Sequence, residues 1–173
     1  PLPRGNVGAG TGCTVGKLRG PENASKAGLG MDVEEAGWLV CAAVAAVNAC
    51  GDVVDPRTGK VVAGMQGKDG SFGGTVEAFL SMAAAMPLDA PAPRTNTTIS
   101  CVVTNAKLTK AQATKVAQMA ADAYAHAIAP THTTNDGDAV FVMATGEAEA
   151  PVDVVGVLAT RALERAIVDS CAH

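Results

Sequence analysis

Residues 96–146 read NTTISCVVTNAKLTKAQATKVAQMAADAYAHAIAPTHTTNDGDAVFVMATG, and this stretch decides the fold. Residues 98–104 (TISCVVT) are rich in β-branched side chains, which favours a β-strand. Residues 139–145 (AVFVMAT) have the apolar character of a second, buried strand. The segment between the two strands has the spacing of a helix, so the stretch predicts a strand, a helix and a strand.

The predicted helix has a clear beginning and end. Thr109 is followed three positions later by Gln112, the pattern of a capping box at a helix N-terminus. Seven residues then recur at the spacing of one buried helix face, namely Val116, Met119, Ala120, Ala123, Tyr124, Ala127 and Ile128. Pro130 lacks the backbone N–H that a continuing helix needs, and so it ends the helix.

The flanking segments predict further elements around this unit. Residues 38–49 (WLVCAAVAAVNA) predict a buried strand, and residues 53–64 (VVDPRTGKVVAG) predict a β-hairpin whose turn holds Pro56 and Gly59. Residues 75–86 predict a helix, and another begins near Val152. Strands and helices mix without a regular βαβ repeat, which indicates an α+β fold.

Two segments predict loop rather than regular structure. Residues 1–30 contain eight glycines and few large side chains, and residues 31–37 predict a short connection to the first strand. Residues 87–96 hold three prolines, which neither a helix nor a central strand tolerates. We therefore expect an exposed, extended linker that ends at Asn96.

Composition bounds both the size and the class of the protein. A chain of 173 residues corresponds to one domain over residues 1–173. Net charge is −4 and there is no run of Lys or Arg, which argues against nucleic-acid and anionic-membrane partners. Only 17% of residues are charged and 48% are apolar, which suits a homo-oligomer.

Membrane spans, disulfides and bound groups are not predicted. The longest apolar run, residues 38–47, is about half of the roughly 20 residues that a spanning helix needs. The five cysteines are odd in number and form no CxxC pair, which favours buried, reduced thiols and a cytoplasmic protein. No cofactor is expected.

Two binding motifs are suggested by the sequence and fail on spacing. The glycines of GNVGAGTGCTVGK (residues 5–17) do not match a P-loop, because Gly10 and Gly12 each stand one residue from the required position and Leu18 follows Lys17. His132 lies near Asp136 and Asp138, but one histidine and two carboxylates are a weak metal signature. We predict neither a nucleotide site nor a metal site; packing of backbone around a site is the alternative role of the glycines.

Several collinear segments resemble one family. Residues 96–146 are similar to the C-terminal part of the DmpA-like N-terminal-nucleophile hydrolases, which include aminopeptidases, nylon-oligomer hydrolase and a pantetheine hydrolase. The segments GNVGAGTGCTVGKL, KAGLG (residues 26–30) and AAVNACGDVVDPRTGKVVAG resemble the family's middle portion in the same order. The resemblance implies an αββα sandwich, with two β-sheets between helix layers.

The resemblance also implies self-cleavage. Members of the family cut their own chain before a Ser or Thr, which becomes an N-terminal nucleophile, and here the cut would fall between Asn96 and Thr97. Residues 1–96 and 97–173 would then be the two chains of the processed enzyme. The freed α-amine of Thr97, with an ordinary pKa of about 8, would serve as the base for its own hydroxyl. Thr98 is a competing candidate for the nucleophile.

Four further residues receive roles from the resemblance. Asp136 and Asp138 would position Thr97 and its amine, Asn48 would help to bind the oxyanion, and Lys26 would assist through its charge. Taken singly, each has an ordinary structural interpretation, as turn, strand or surface residues. Together with Thr97, in family order, they predict an amide hydrolase that works through an acyl-enzyme on a small amide or peptide.

Two alternatives remain open on the sequence alone. The chain could be a non-catalytic assembly subunit of the same fold, or an acyl-transferase of the ornithine acetyltransferase type. The family domain also carries an N-terminal portion before residues 5–17, so we expect that portion as a separate chain or fragment. Without it, an edge and a face of the sheet would be uncovered.

Overall fold

The computed structural model describes residues 2–82 and 96–172. In chain order the elements of this part are β1 (Thr14–Val15), β2 (Ser25–Lys26), β3 (Leu29–Ala36), β4 (Leu39–Asn48), β5 (Asp52–Asp55), β6 (Lys60–Ala63), α1 (Thr75–Met82), β7 (Thr97–Ala106), α2 (Lys110–Ala127), β8 (Ile128–Ala129), β9 (Ala139–Ala148) and α3 (Val152–Asp169). Strands and helices mix as predicted, and the α+β class is confirmed.

The main sheet has four strands in the order β3-β4-β7-β9. Strand β4 is antiparallel to both β3 and β7, whereas β9 runs parallel to β7. Parallel neighbours need a crossover connection, and α2 supplies it. The strand, helix and strand predicted for residues 96–146 are therefore confirmed, including the capping box of Thr109 with Gln112.

One face of the main sheet carries the core. Alternate residues of β4 point toward α3 and are almost fully buried, namely Cys41, Ala43, Ala45 and Val47. Leu163 and Ile167 of α3 and Tyr124 of α2 are the largest fully buried side chains of this core. Small side chains on the sheet let the helices approach closely, in keeping with a chain that is 3% aromatic.

The opposite face of the main sheet is open in the described structure. It exposes four large apolar side chains of β7 and β9, namely Ile99, Val103, Phe141 and Met143. The prediction that residues 139–145 form a strand is confirmed, but the prediction that this strand is buried is wrong, since Phe141 is 60% exposed. In the part of the chain that the structure describes, a helix packs on one side of β9 only, namely α2.

A smaller sheet, β6-β5-β8, extends the fold beside the main sheet. Strands β5 and β6 form the predicted hairpin. The buried carboxylate of Asp52 accepts hydrogen bonds from the backbone of Met65 (2.8 Å) and of Thr75 (2.9 Å), which fixes the start of α1. The predicted helix 75–86 is confirmed up to Met82, and its last residues lie outside the described part.

Two predictions of irregular structure are corrected. Residues 31–37, predicted as a connection, belong mostly to β3, an edge strand whose Asp32, Glu34 and Glu35 hide the alternation of a buried strand. Charged residues are common on edge strands. Asn96, predicted as the end of an exposed linker, is 7% exposed and bridges to Asp136, while residues 87–95 lie outside the described part.

Candidate active site

The predicted site residues meet where β4 ends and β7 begins. Asn48, the last residue of β4, is the cross-strand partner of Thr97, the first residue of β7. Both are half-buried and lie on the open face of the main sheet, because buried and less buried residues alternate along each strand. Thr98, the competing nucleophile candidate, points to the helix-covered face and is fully buried. Thr97 is thus the accessible hydroxyl of the pair.

The peptide bond between Asn96 and Thr97 has unusual contacts. The Thr97 hydroxyl donates to the carbonyl oxygen of Asn96 over 2.5 Å, and the backbone N–H of Gly137 donates to the same oxygen over 3.0 Å. A Cβ at position 137 would lie 3.0 Å from Thr97 Oγ1. The glycine therefore brings its backbone amide against this carbonyl and leaves room for the threonine side chain.

Asp138 holds the backbone that follows Thr97. Its Oδ1 accepts a hydrogen bond from the Thr98 N–H over 2.8 Å. Its Oδ2 lies 3.0 Å from Nδ1 of His132 and 3.5 Å from the hydroxyl of Thr131. The side chain is only 7% exposed. A buried carboxylate with partners on both oxygens has a fixed orientation.

Asp136 lies on the other side of Gly137 and pairs with Asn96 in a parallel bridge. Its Oδ2 accepts from the N–H and the hydroxyl of Thr133, each over 2.8 Å. Its Oδ1 is buried and has no hydrogen-bond partner among the described residues. Buried polar atoms are almost always paired, so such an atom points to a function.

The ammonium group that reaches Asn48 belongs to Lys17. Lys17 Nζ donates to the Asn48 backbone carbonyl over 3.0 Å and to Oδ1 over 2.6 Å, and the Thr14 N–H also donates to that Oδ1 over 3.2 Å. Lys26, the lysine predicted for the site, lies in β2 with an exposed side chain. Of the two lysines, the structure brings Lys17 to Asn48.

A glycine turn presents Lys17. Gly16 has a φ of 69°, and a Cβ there would lie 1.9 Å from the backbone nitrogen of Met65. Only glycine fits this close approach. The glycine-rich start of the chain therefore packs backbone around the site, the alternative that the sequence left open.

Burial shapes the protonation of this region. Partial burial lowers the pKa of Lys17, while the negative charge of Asp136 opposes that shift. Burial, with Asp136 adding to it, raises the pKa of the Cys50 thiol, which stays neutral near pH 7. Lys17 and Asp136 are thus electrostatic neighbours.

Three further features concern metal-ligating side chains, cysteines and helix lengths. Within residues 2–82 and 96–172, no group of three or more His, Cys, Asp or Glu side chains is arranged to hold a metal ion. The five cysteines are free, in agreement with the predicted reduced thiols. None of the described helices has the length and apolar character to cross a membrane.

Sequence reasoning missed three contacts at the site. The sequence presents Lys17 only as part of an incomplete P-loop pattern and Gly137 only as the middle of an Asp-Gly-Asp turn. It indicates His132 only as a weak metal-ligand candidate, whereas the structure places it against Asp138. A positive φ of 53° at His132, unusual for a residue other than glycine, marks this position in the structure but leaves no trace in the sequence.

Relatives with curated names align with most of the chain. It is 39% identical over 146 residues to an uncharacterized aminopeptidase of Mycobacterium leprae, covering 84% of this chain and 38% of the relative. It is 31% identical over 153 residues to a 6-aminohexanoate-oligomer endohydrolase of Paenarthrobacter ureafaciens, covering 87% of this chain and 42% of the relative. The chain thus spans less than half the length of these two relatives.

Solved structures share the fold. A Burkholderia β-aminopeptidase superposes with a TM-score of 0.64 at 21% identity, over 98% of this chain and 46% of its own. The L-aminopeptidase D-Ala-esterase/amidase of Ochrobactrum anthropi is described as a variant of the Ntn hydrolase fold. It superposes with a TM-score of 0.58 at 20% identity, over 98% of this chain and 45% of its own. The model of peptidase family S58 matches residues 1–173, and the chain belongs to that family.

Proposed function

We propose that the protein is an amide hydrolase that cuts its own chain between Asn96 and Thr97 and then uses Thr97 as an N-terminal nucleophile. Membership of a peptidase family and relatives named as aminopeptidases and as an oligomer endohydrolase support the hydrolase part. The threonine mechanism rests on the geometry at residues 96–97. The observation that carries it is the contact of the Thr97 hydroxyl with the Asn96 carbonyl, which also accepts from Gly137.

Self-cleavage follows from this contact in two steps. The Thr97 oxygen attacks the Asn96 carbonyl carbon, and the negative charge develops on the oxygen that the Gly137 N–H already contacts. The C–N bond then breaks, the Thr97 nitrogen takes a proton, and an ester joins the two residues. Water hydrolyses that ester, leaving a carboxyl group on Asn96 and a free amine on Thr97, with one water added overall.

Lys17 supplies the base that self-cleavage requires. Before the cut no free α-amine exists at Thr97, so another group has to accept the proton of the hydroxyl. Lys17 reaches Asn48, the cross-strand partner of Thr97, and its lowered pKa makes the neutral amine more accessible than in a solvated lysine. We therefore propose that Lys17, as the neutral amine, is the base of self-cleavage, in place of the charge-assisting role expected of Lys26.

After the cut, the α-amine of Thr97 takes over as base for substrate hydrolysis. Its pKa in model compounds is about 8, which suits proton transfer near neutral pH. The unpartnered Oδ1 of Asp136, on the residue that bridges to Asn96, is the acceptor for this amine. Asp138 holds the Thr98 N–H and thereby the start of β7.

Asn48 has an amide of fixed orientation. Two donors, Lys17 Nζ and the Thr14 N–H, face its Oδ1, which identifies this atom as the amide oxygen. The Nδ2 group therefore points away from Lys17 and Thr14. In substrate hydrolysis this amide group donates to the oxyanion of the tetrahedral intermediate. The substrate is a small amide or peptide, and oligomers of ω-amino acids are the first class to test because a relative's name specifies them.

The rest of the domain and further copies complete the molecule. Relatives are more than twice as long as the matched region. The open face exposes Ile99, Val103, Phe141 and Met143, an apolar patch typical of an interaction surface. The remaining portion of the family domain fits this face, and a homo-oligomer fits the low share of charged residues. Free cysteines favour a cytoplasmic setting.

Amide turnover with trapping of the intermediate tests the proposal. The natural full-length protein is incubated with short peptides and with 6-aminohexanoate oligomers, and release of primary amine is compared with that of Thr97→Ala. We expect release only from the parent, with the acyl group on the fragment that begins at Thr97. Equal release by Thr97→Ala would contradict the proposal. Acyl transfer to an added amine in preference to water would indicate the transferase alternative, and an inert parent would indicate an assembly subunit.

A further inference from the structure

His132 is the contact of the site that the proposed chemistry does not use. It lies in the loop between β8 and β9, and its Nδ1 is 3.0 Å from Oδ2 of Asp138. The imidazole is 49% exposed while the carboxylate is 7% exposed, so the ring covers the carboxylate from the solvent side. A carboxylate only accepts hydrogen bonds, which places the proton on Nδ1.

The two oxygens of Asp138 face different parts of the fold. Oδ1 accepts from the Thr98 N–H on β7, whereas the loop supplies the partners of Oδ2, with His132 at 3.0 Å and the Thr131 hydroxyl at 3.5 Å. Of the two loop groups, the imidazole makes the shorter contact. Rotation of the carboxylate about its χ2 would break the bond to Thr98, and His132 resists that rotation.

The ring of His132 is itself fixed from beneath. Its centroid lies 5.6 Å from that of Tyr124, whose buried hydroxyl is within 3.2 Å of the Thr98 carbonyl and 3.0 Å of the Ala139 carbonyl. Tyr124 therefore joins the starts of β7 and β9, and His132 rests on that junction. The phenol and the Asp138 carboxylate both contact the backbone of Thr98, next to Thr97, and the imidazole contacts both of these side chains.

The backbone of His132 adds an independent observation. Its φ of 53° is the one positive value on a non-glycine residue in the described structure. This conformation is unfavourable for a residue with a Cβ, and glycine or asparagine adopts it more readily. Such strain collects at functional sites, where the side chain has a task that glycine cannot perform.

From these contacts we infer that His132 is a positioning residue, whose Nδ1–H fixes the Asp138 carboxylate so that Asp138 in turn fixes the start of β7 and the Thr97 nucleophile. The inference rests on the proposed function, because the effect of His132 is measured as a change in the turnover that Thr97 carries out. It adds a residue outside the Asp-Gly-Asp turn to the site. No contact between His132 and the substrate is needed.

Two substitutions separate the hydrogen bond from the backbone strain. His132→Gly removes the donor and relieves the positive φ. His132→Asn adopts the same φ and carries an N–H close to the position of Nδ1. His126→Asn is the matched control, since His126 lies on α2, half-exposed, and pairs with Glu164. Each variant is made in the natural full-length protein, and kcat and KM are measured on an amide that the parent hydrolyses.

We expect His132→Gly to lower kcat by roughly 10- to 100-fold at nearly constant KM, because a small misplacement of a nucleophile costs about this much. His132→Asn should recover most of the loss, and His126→Asn should match the parent. A kcat of His132→Gly within twofold of the parent, or a kcat of His132→Asn as low as that of His132→Gly, would overturn the inference. Thr97→Ala is measured alongside: if it retains turnover, the proposed function fails whatever His132 shows.

Discussion

The two ends of the β4–β7 strand pair both carry an asparagine, and they use it differently. Near the Leu39 end, Asn105 accepts from the Val40 N–H over 2.9 Å and donates to the Trp38 carbonyl over 2.8 Å, which closes the β3–β4 turn region onto β7. At the other end, Asn48 meets a lysine ammonium and faces Thr97 across the strands. Asn105 thus stabilises a turn, whereas Asn48 lies beside Lys17 and Thr97, the proposed base and nucleophile.

Polar atoms without partners separate the two ends further. Among the described residues, five buried side-chain oxygens lack a hydrogen bond, although Glu34 Oε1 is ion-paired with Arg165. Three of the other four belong to Asn96, Thr98 and Asp136 at the Thr97 end. None belongs to the residues around Asn105. Since a buried polar atom without a partner is costly, their collection at one end marks the place where the fold accepts instability for function.

The largest expected effect comes from the nucleophile. Thr97→Ala removes the attacking oxygen, so the chain should stay uncut and amide turnover should fall by at least about 10⁴-fold. Thr98→Ala is the neighbouring control: its hydroxyl lies on the helix-covered face, and the chain should still be cut. Time courses on denaturing gels measure both. Cleavage in Thr97→Ala, or its loss only in Thr98→Ala, would transfer the role to Thr98.

Lys17 should give the next largest effect. Lys17→Met removes the proposed base and should slow self-cleavage by roughly 10²- to 10⁴-fold, whereas Lys26→Met should cut at the parent's rate. The neutral amine is the active form and burial lowers the Lys17 pKa, so the parent's cleavage rate should rise with pH, earlier than for a solvated lysine. Lys17→Arg stays charged, so its cleavage rate should not rise with pH in this way. Cleavage rates measured by quench-flow or timed quenching at several pH values test both expectations.

The two asparagines provide a matched pair of variants. Asn48→Ala should lower turnover by about 10²- to 10³-fold through loss of an oxyanion donor. Asn105→Ala should leave turnover nearly unchanged and lower the free energy of unfolding by about 1–3 kcal/mol, because the Val40 N–H and the Trp38 carbonyl lose their partner. Steady-state kinetics and urea unfolding of both proteins test the contrast. Equal losses of activity would remove the distinction between the two ends.

Tyr124→Phe should have the smallest effect, on stability alone. The phenol shares its proton among the Thr98 carbonyl, the Ala139 carbonyl and the Ser100 hydroxyl, and its loss should cost about 1–3 kcal/mol. Burial raises the Tyr124 pKa, so the contribution should be constant below the unfolded pKa of about 10 and should diminish above it. Thermal unfolding at pH 6 and at pH 9 should give the same difference in stability between the parent and Tyr124→Phe. A stability difference that changes between the two pH values would contradict this expectation.

Local signals account for what could be predicted of the fold. The capping box at Thr109 and the apolar periodicity of α2 act within a few residues, so the sequence shows them directly. Strand β3 was not predicted, because Asp32, Glu34 and Glu35 interrupt its apolar pattern and its pairing with β4 depends on tertiary structure. The exposure of Phe141 likewise depends on which layers pack on the sheet.

At the site, the residue types were predictable and the contacts were not. The order of motifs pointed to Asn48, Thr97, Asp136 and Asp138, which the structure brings to one end of the main sheet. It indicated Lys26 and could not show that the turn at Gly16 brings the Lys17 ammonium to Asn48. Nor could it show that the backbone of Gly137 meets the Asn96 carbonyl, since a glycine amide has no signature in a sequence.

The intact mass of the purified full-length protein under denaturing conditions shows whether the bond between Asn96 and Thr97 is cut. We expect two polypeptides whose masses add up to the unprocessed chain plus one water, the smaller beginning with Thr97. Thr97→Ala should give the single, uncut mass. A parent that remains uncut after prolonged incubation, or that is cut at any other bond, would contradict the assignment of Thr97 as the N-terminal nucleophile.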